Sequence, residues 1–421
     1  MILEQARLRN AETPLIESPS VRTTPAARPS SQLRVFMMDL ACIIPYYVGY
    51  LAKALQEEGV DVTIGSIDYY LDPGCFRRQG LTNHPGALDA VRRWAISRPW
   101  ARRGMKTAEY LVNLAATAIR FRTDPPDVLH VQFLPLAKEG LSLELLFLRW
   151  ARSRGIRIVY TVHNVLPQGT GRRLQPLYAR IYELADRLIC QTEEARKRLV
   201  SEFRTDPERI DLIPHGVMFA DGSRPSPAEA RARLGVSPGS FVVLWQGIIQ
   251  RYKGAELLLE AWEQVARQVA GALLVVAGTG DAAYLKALSD QIRTLNIEGS
   301  VRCEFRFVPF EEVPVFLQAA DVVVYPYREI STSGALMTGL AFEKAVVATS
   351  LPAFREVIES GRTGILVEPE NPRALGVALI RLAEHPEERA SIAERAGALF
   401  RQQYAWNAIA RKTREVYEKI L

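Results

Sequence analysis

Arg251 and Lys253, in the run WQGIIQRYKG at 245–254, are cations placed to do chemistry. They follow an apolar strand run, FVVLWQG, that ends at Gly247. In open α/β sheets, ligands sit beyond the carboxyl ends of strands. A guanidinium fork beside an ammonium point charge there can hold a diphosphate. Taken alone, the pair is better read as a solvated basic loop. A second run, YPYREISTSGALMTGLA from Tyr325, supplies what the first lacks. Arg328 and Glu329 stand in a polar turn, and Ser331, Thr332, Ser333 and Gly334 open a helix. A helix N-terminus presents unpaired N–H groups and a positive dipole end to an anion. A carboxylate beside it can accept hydrogen bonds from hydroxyls. Phosphate and polyol recognition side by side is what a nucleotide-sugar site needs.

Three further runs are weaker. VVAGTGD places Gly278 and Gly280 after a strand, where the backbone can approach a ligand closely. It has neither the GxGxxG spacing nor a P-loop lysine. YTVHNVLP places His163 and Asn164 at a strand end in the first half of the chain. Such a histidine can bond a sugar hydroxyl or move a proton at near-neutral pH, or it can simply cap a loop. IPHGV, with His215, reads as a turn at an interdomain hinge, and His130 in DVLHVQF reads as a core or strand-end residue. No two histidines have metal-ligand spacing, and the four cysteines are scattered without a CxxC pair, so no metal site and no disulfide framework is expected. No GxSxG motif supports hydrolase chemistry.

The elements that must position these residues alternate. The apolar run from Leu33 leads into a Pro-Tyr-Tyr turn, a helix from Val48 to Glu58, and a second strand after Gly59. DVLHVQF, RIVYTVHNV, RLICQT and RIDLIPHGV follow, with helical stretches between them. From Phe241 the alternation starts again with FVVLWQG, ALLVVAG, VRCEF and DVVVYP. Strands separated by helices of this length form parallel sheets covered on both faces. The expected class is α/β with two doubly wound domains. The expected divisions are a disordered tail at 1–32, a first domain at 33–220, a linker at 221–239, a second domain at 240–403, and a last helix at 404–421 that crosses back to the first.

A length of 421 residues, 48% hydrophobic and 24% charged residues suit a two-domain globular protein. A net charge of +6 does not by itself argue nucleic-acid binding, and no nucleic-acid motif accompanies it. No apolar run approaches the roughly 20 residues needed to span a bilayer, and the start has no long apolar h-region. A cytoplasmic location is expected, at or near the inner membrane face. Residues 76–122 hold ten Lys or Arg, including Arg92, Arg93, Arg102 and Arg103, against Asp89 and Glu109, with Trp94, Trp100 and Tyr110 interleaved. That composition suits an anionic membrane or a phosphate-bearing acceptor, or a solvated helical face over core tryptophans.

The order of these motifs, from DVLHVQF through TVHNVLP, LIPHGV, the RYKG run, VVAGTGD and YREISTSG to the Trp-bearing last helix, resembles the GT-B glycosyltransferases of family GT4 over about residues 33 to 421. The resemblance implies two Rossmann-like domains facing across a cleft. A nucleoside-diphosphate sugar lies on the second domain, and the acceptor, a glycan or lipid-linked species, lies on the first. It implies retention of anomeric configuration, no bound metal and no cofactor beyond that co-substrate. Lys253 and Arg251 would stabilise the diphosphate, and Glu329, the first glutamate of the family pair, would contact the donor sugar. Gly247, Gly278, Gly280, Arg328, Ser333 and Gly334 would surround the donor, with His163 reaching from the opposite domain. Tyr46, Tyr47 and Asn164 fall on the acceptor side. The chain departs from the family in three places. Met337 or Thr338 stands where the second glutamate would hold the ribose, Ile248 where an arginine is usual, and ACIIPYYVG replaces a Gly-Gly loop. Transfer to a small soluble acceptor, a non-catalytic sugar-nucleotide sensor and a nucleotide-sugar epimerase fit the same resemblance.

Overall fold

Two runs of six strands form two separate parallel sheets. The first contains β1 (Arg34–Met38), β2 (Asp61–Gly65), β3 (Val128–Val131), β4 (Arg157–Val162), β5 (Arg187–Cys190) and β6 (Ile210–Leu212), in the order β2-β1-β3-β4-β5-β6. The second contains β7 (Val242–Gln246), β8 (Leu273–Ala277), β9 (Val301–Glu304), β10 (Val322–Tyr325), β11 (Ala345–Thr349) and β12 (Ile365–Val367), in the order β12-β11-β10-β7-β8-β9. The computed structural model describes residues 32–83, 88–93, 99–167, 170–219 and 224–421, excluding the side chains of 92, 93, 99–103 and 402. The expected tail, the first residues of the linker, and the side chains of Arg92, Arg93, Trp94, Trp100, Arg102 and Arg103 lie outside the described residues. Leu33–Leu421 forms one compact unit.

The central strands are buried on both faces, as β10 (VVVY) and β11 (AVVAT) show along their whole length. β-branched residues suit such strands, because helices cover both sides. Each sheet has a point where the strand order reverses, between β1 and β3 and between β7 and β10. There the outgoing loops diverge and leave a crevice. The loops after β1, β7 and β10 border these two crevices.

The loop after β1 is tied by Asp39, whose buried carboxylate accepts from the N–H groups of Ile43 (3.0 Å) and Ile44 (2.9 Å). Burial pushes this carboxyl up to about 7, against the pull of those two donors. The helix that follows runs from Pro45 to Glu57, so Tyr46 and Tyr47 form its first turn. This corrects the expectation of a Pro-Tyr-Tyr turn with a helix from Val48. Proline at the first helical position fits, since its fixed φ suits the helix and its missing N–H would be unpaired there. The expected linker contains the helix Pro227–Arg233, started by a capping box between Ser226 and Glu229.

The final helix, Trp406–Glu418, lies on the first domain. Its Ile409, Ala410, Val416 and Tyr417 share a core with Val35, Met37, Leu51 and Val128. The Tyr417 hydroxyl bonds His130 Nδ1 (2.7 Å), and His130 Nε2 bonds Thr161 Oγ1 (2.7 Å). Burial lowers His130 to about 3, so it is a neutral core imidazole. Tyr417→Ala is expected to cost about 3–5 kcal/mol of stability, through a cavity and an orphaned histidine. Urea unfolding reads this, and a loss under about 1 kcal/mol would show that the last helix is not part of the first domain's core.

Candidate active site

The site is built from strand ends. After β7 the chain passes Gly247, and Ile249 N–H donates to the Thr279 carbonyl (2.7 Å), tying the loops after β7 and β8 together. At Gly278 the backbones come so close that any Cβ would overlap the Gly247 carbonyl, and φ is +152°. Only glycine permits this approach. A short 3₁₀ turn, Arg251–Lys253, then leads through Gly254 to the helix Ala255–Gln268.

Lys253 is the centre of this side. Its ammonium lies 3.3 Å from where a Cβ on Gly247 would stand. It stands 5.9 and 5.8 Å from the ring centroids of Tyr252 and Tyr327. Among the described residues no carboxylate pairs with it. Burial lowers it from 10.5 to about 8. The two rings stabilise the cation in part, but its natural complement is a negative charge, which the described residues do not supply.

The nearby cations are engaged differently. Arg251 is exposed, with its guanidinium 4.6 Å over the Tyr284 ring. Arg328 pairs with Glu256 and with Glu370 (3.0 Å), and donates to the Arg251 carbonyl (2.9 Å). It therefore braces the turn that carries Lys253. Glu329 is exposed, and it lines neither of the cavities described below. Ser333 is buried and caps the helix Gly334–Ala341, accepting from Leu336 N–H (3.2 Å).

Across the cleft, Tyr47 is the hub. Its ring meets His163 (4.8 Å between centroids), His215 (5.0 Å) and Trp406 (5.4 Å). His163 Nε2 bonds Gln132 Oε1 (3.1 Å), which makes Nε2 the protonated nitrogen. His215 Nδ1 donates to the Gly216 carbonyl (2.6 Å), leaving Nε2 as an acceptor. That Nε2 stands 3.3 Å from where a Cβ on Gly334 would be, so the two domains touch at the helix start. Burial, above all, lowers His163 to about 3 and His215 to about 4. Both are neutral at physiological pH, which corrects the expectation of a near-neutral titration at His163.

Two adjoining cavities occupy the cleft. The smaller, about 290 Å³, is lined by Tyr46, Tyr47, His215, Gly247, Lys253 and Gly334 among others. The larger, about 930 Å³, reaches Asp68, Tyr69, Lys106, Glu109, Arg251 and Gly280. Ile43, Tyr69, Ile248 and Thr279 line both. Gly278 lines the smaller cavity. His163 stands behind Tyr47 and, like Asn164, Arg328 and Ser333, lines neither. His215 was expected at a hinge turn. The structure puts it in the cleft, and its signal was its place after a strand end, the same signal that marked His163. Among the described residues, no group of three or more His, Cys, Asp or Glu is disposed to hold a metal.

One wall is a clasp between the domains. Tyr46 packs at a tilt against Phe219 (5.1 Å between centroids) and Phe310 (6.0 Å), and its hydroxyl donates to Asp72 (2.9 Å). Arg78 binds Asp72, lies 5.1 Å over the Phe310 ring, and pairs with Glu311 (3.2 Å). A second tie stands apart from these rings, where the Glu356 carboxylate accepts from the N–H groups of Glu193 (2.7 Å) and Glu194 (2.9 Å) at a helix start of the first domain. Phe310→Ala is expected to weaken closure by about 1–2 kcal/mol through lost ring contacts. Small-angle scattering would then show a more open molecule at an unchanged melting temperature. Scattering identical to wild type would contradict the clasp.

Residues 44–219 match the family described as Glycosyltransferase Family 4, and residues 240–385 match Glycosyl transferases group 1. The D-inositol 3-phosphate glycosyltransferase of Arthrobacter sp. strain FB24 is 29% identical over 390 residues, covering 88% of each chain. The same-named protein of Kineococcus radiotolerans is 32% identical over 256 residues, covering 57% of this chain and 58% of its own. Among solved structures, Anabaena Alr3699/HepE in complex with UDP and glucose superposes with a TM-score of 0.73 at 17% identity, covering 92% of this chain and all (100%) of that one. Sucrose-phosphate synthase from Thermosynechococcus elongatus gives 0.72 at 17% identity, over 92% and 99%.

Proposed function

Since this chain belongs to the group 1, family 4 glycosyltransferases and has their GT-B fold, we propose that it moves a hexose from a nucleoside-diphosphate sugar to a hydroxyl of a glycan or lipid-linked acceptor, with retention and without a metal. The observation that carries this is Lys253. It is a half-buried ammonium without a carboxylate partner among the described residues, in one cavity with Gly247, the Gly334 helix start and the neutral His215. A diphosphate is the ligand whose charge such a group complements.

The chemistry follows from where charge develops. Breaking the bond between the anomeric carbon and the phosphate oxygen loads negative charge onto the departing diphosphate. Lys253 and the helix-start N–H groups can take that charge up without rearrangement, since they are already held in place. Arg251 lines the larger cavity and adds a second cation. With both histidines neutral, proton transfer falls to the substrates. The departing phosphate oxygen accepts the acceptor's hydroxyl proton on the face that it leaves, and the new bond forms on that face. Glu329, which the resemblance sets against donor hydroxyls, is exposed in the turn before the Gly334 helix. His163 acts through Tyr47, and Asn164 follows it in the same loop.

A second reading, a small soluble acceptor, is favoured by the relatives, which are D-inositol 3-phosphate glycosyltransferases. The experiment that tests the main reading offers UDP-, GDP-, ADP- and dTDP-hexoses with lipid-linked, glycan and cyclitol-phosphate acceptors, in the presence of EDTA, and reads product anomers by NMR. The expected result is a retained product on a glycan or lipid-linked acceptor. Turnover should fall about 100- to 1000-fold in Lys253→Ala. Wild-type turnover in that variant would sink the assignment. Turnover confined to the cyclitol phosphate would replace the acceptor and leave the rest.

A further inference from the structure

The helix Pro99–Thr123 has two unlike faces. The inner face is buried and polar in part. Tyr110 donates to the buried carboxylate of Glu144, and Phe121 packs 6.1 Å from Phe147, both on the neighbouring helix Leu143–Ser153. Lys106 and Glu109 of the same helix line the larger cavity of the cleft. The outer face carries Ala108, Leu111, Val112, Ala115 and Ile119, all exposed. Their spacing of three and four residues makes one continuous stripe. Leu111 is 37% exposed, Val112 50% and Ile119 64%. Beside it, Leu141 (48%), Leu143 (45%) and Leu146 (56%) are exposed at the start of the neighbouring helix. Single exposed leucines need no explanation, but two adjacent elements that both turn large apolar residues outward do.

Charge says what covers this face. The only acid on the long helix is Glu109, and it points inward at 3% exposure. Arg122 at the end of the stripe, and Lys138 and Arg149 around the neighbouring helix, are exposed, against one exposed acid there, Glu139. A second copy of the chain on a two-fold axis would bring these cations against their own equivalents. An anionic bilayer offers the opposite charge together with an apolar layer for the leucines.

We propose that this face seats the protein on an anionic lipid surface. The cavity lined by Lys106 and Glu109 then opens beside the membrane, where a lipid-linked acceptor is presented. This rests on the proposed function only for the acceptor. Seating itself is measured without donor or acceptor, so its failure leaves the transferase chemistry standing.

The test is co-sedimentation of the full chain with phosphatidylcholine vesicles, with and without phosphatidylglycerol. The double variant Val112→Glu, Ile119→Glu and the double variant Arg122→Glu, Arg149→Glu are run beside wild type, with thermal melts to show that each folds. Wild type is expected to sediment with the anionic vesicles only, and each double variant to bind at least about tenfold more weakly at an unchanged melting temperature. Three results would overturn the proposal: wild type left in the supernatant, variants that bind as tightly as wild type, or a wild-type dimer that the Val112→Glu, Ile119→Glu pair splits.

Discussion

A positive charge held in a half-buried place without a counter-charge among the described residues is the constraint on which the rest of this molecule turns. An ammonium taken from water loses solvation, and the protein ordinarily repays this with a carboxylate. Here Glu256, three residues on in the sequence, is already engaged. Arg328 holds one of its oxygens and Tyr284 the other. The brace therefore does two things at once. It fixes the turn that aims Lys253 at Gly247, and it keeps the available carboxylate away from the ammonium. The place left open has the charge and the backbone clearance for an external anion.

The opposite domain completes the site by being neutral. His163 and His215 are held uncharged by burial, so neither repels Lys253. Tyr47 sets both rings and in turn leans on Trp406 of the last helix, which stacks on Tyr50 at 5.7 Å. The chain's end thus supports the first domain's face of the cleft, although it follows the second domain in sequence. The aromatic clasp around Phe310 and the Glu356 tie hold the two faces together, so the cleft is a property of the closed pair of domains and not of either one.

Much of this was legible from local sequence. The strands announced themselves as short β-branched runs between helices, and the two-sheet plan followed from their alternation. Gly247, Gly278, Lys253, Ser333 and Gly334 were legible because each stands just past a strand or at a helix start. What was not legible depends on partners distant in the chain. Arg328 looked like a ligand-binding cation because Glu256 and Glu370 are 72 and 42 residues away. His215 looked like a hinge because its neighbours are Tyr47 and Gly334. Arg78 gave no sign of bonding Glu311. The first helix starts three residues before the expected Val48, because Pro45 opens the helix and not a Pro-Tyr-Tyr turn. His163 was given an ordinary titration because burial is a tertiary property.

The most direct measurement is calorimetric titration of a nucleoside diphosphate into the full chain near pH 9, in buffers of different ionisation enthalpy. Lys253 titrates at about 8 in the free protein, below its ordinary 10.5, so near pH 9 it is largely neutral there. A bound diphosphate restores the charged form and raises that pKa. Binding should therefore take up about one proton per site, and affinity should fall as pH rises through 8. Lys253→Arg, charged throughout, should bind without uptake. Zero uptake by the wild type, with affinity level from pH 7 to pH 9, would contradict the account.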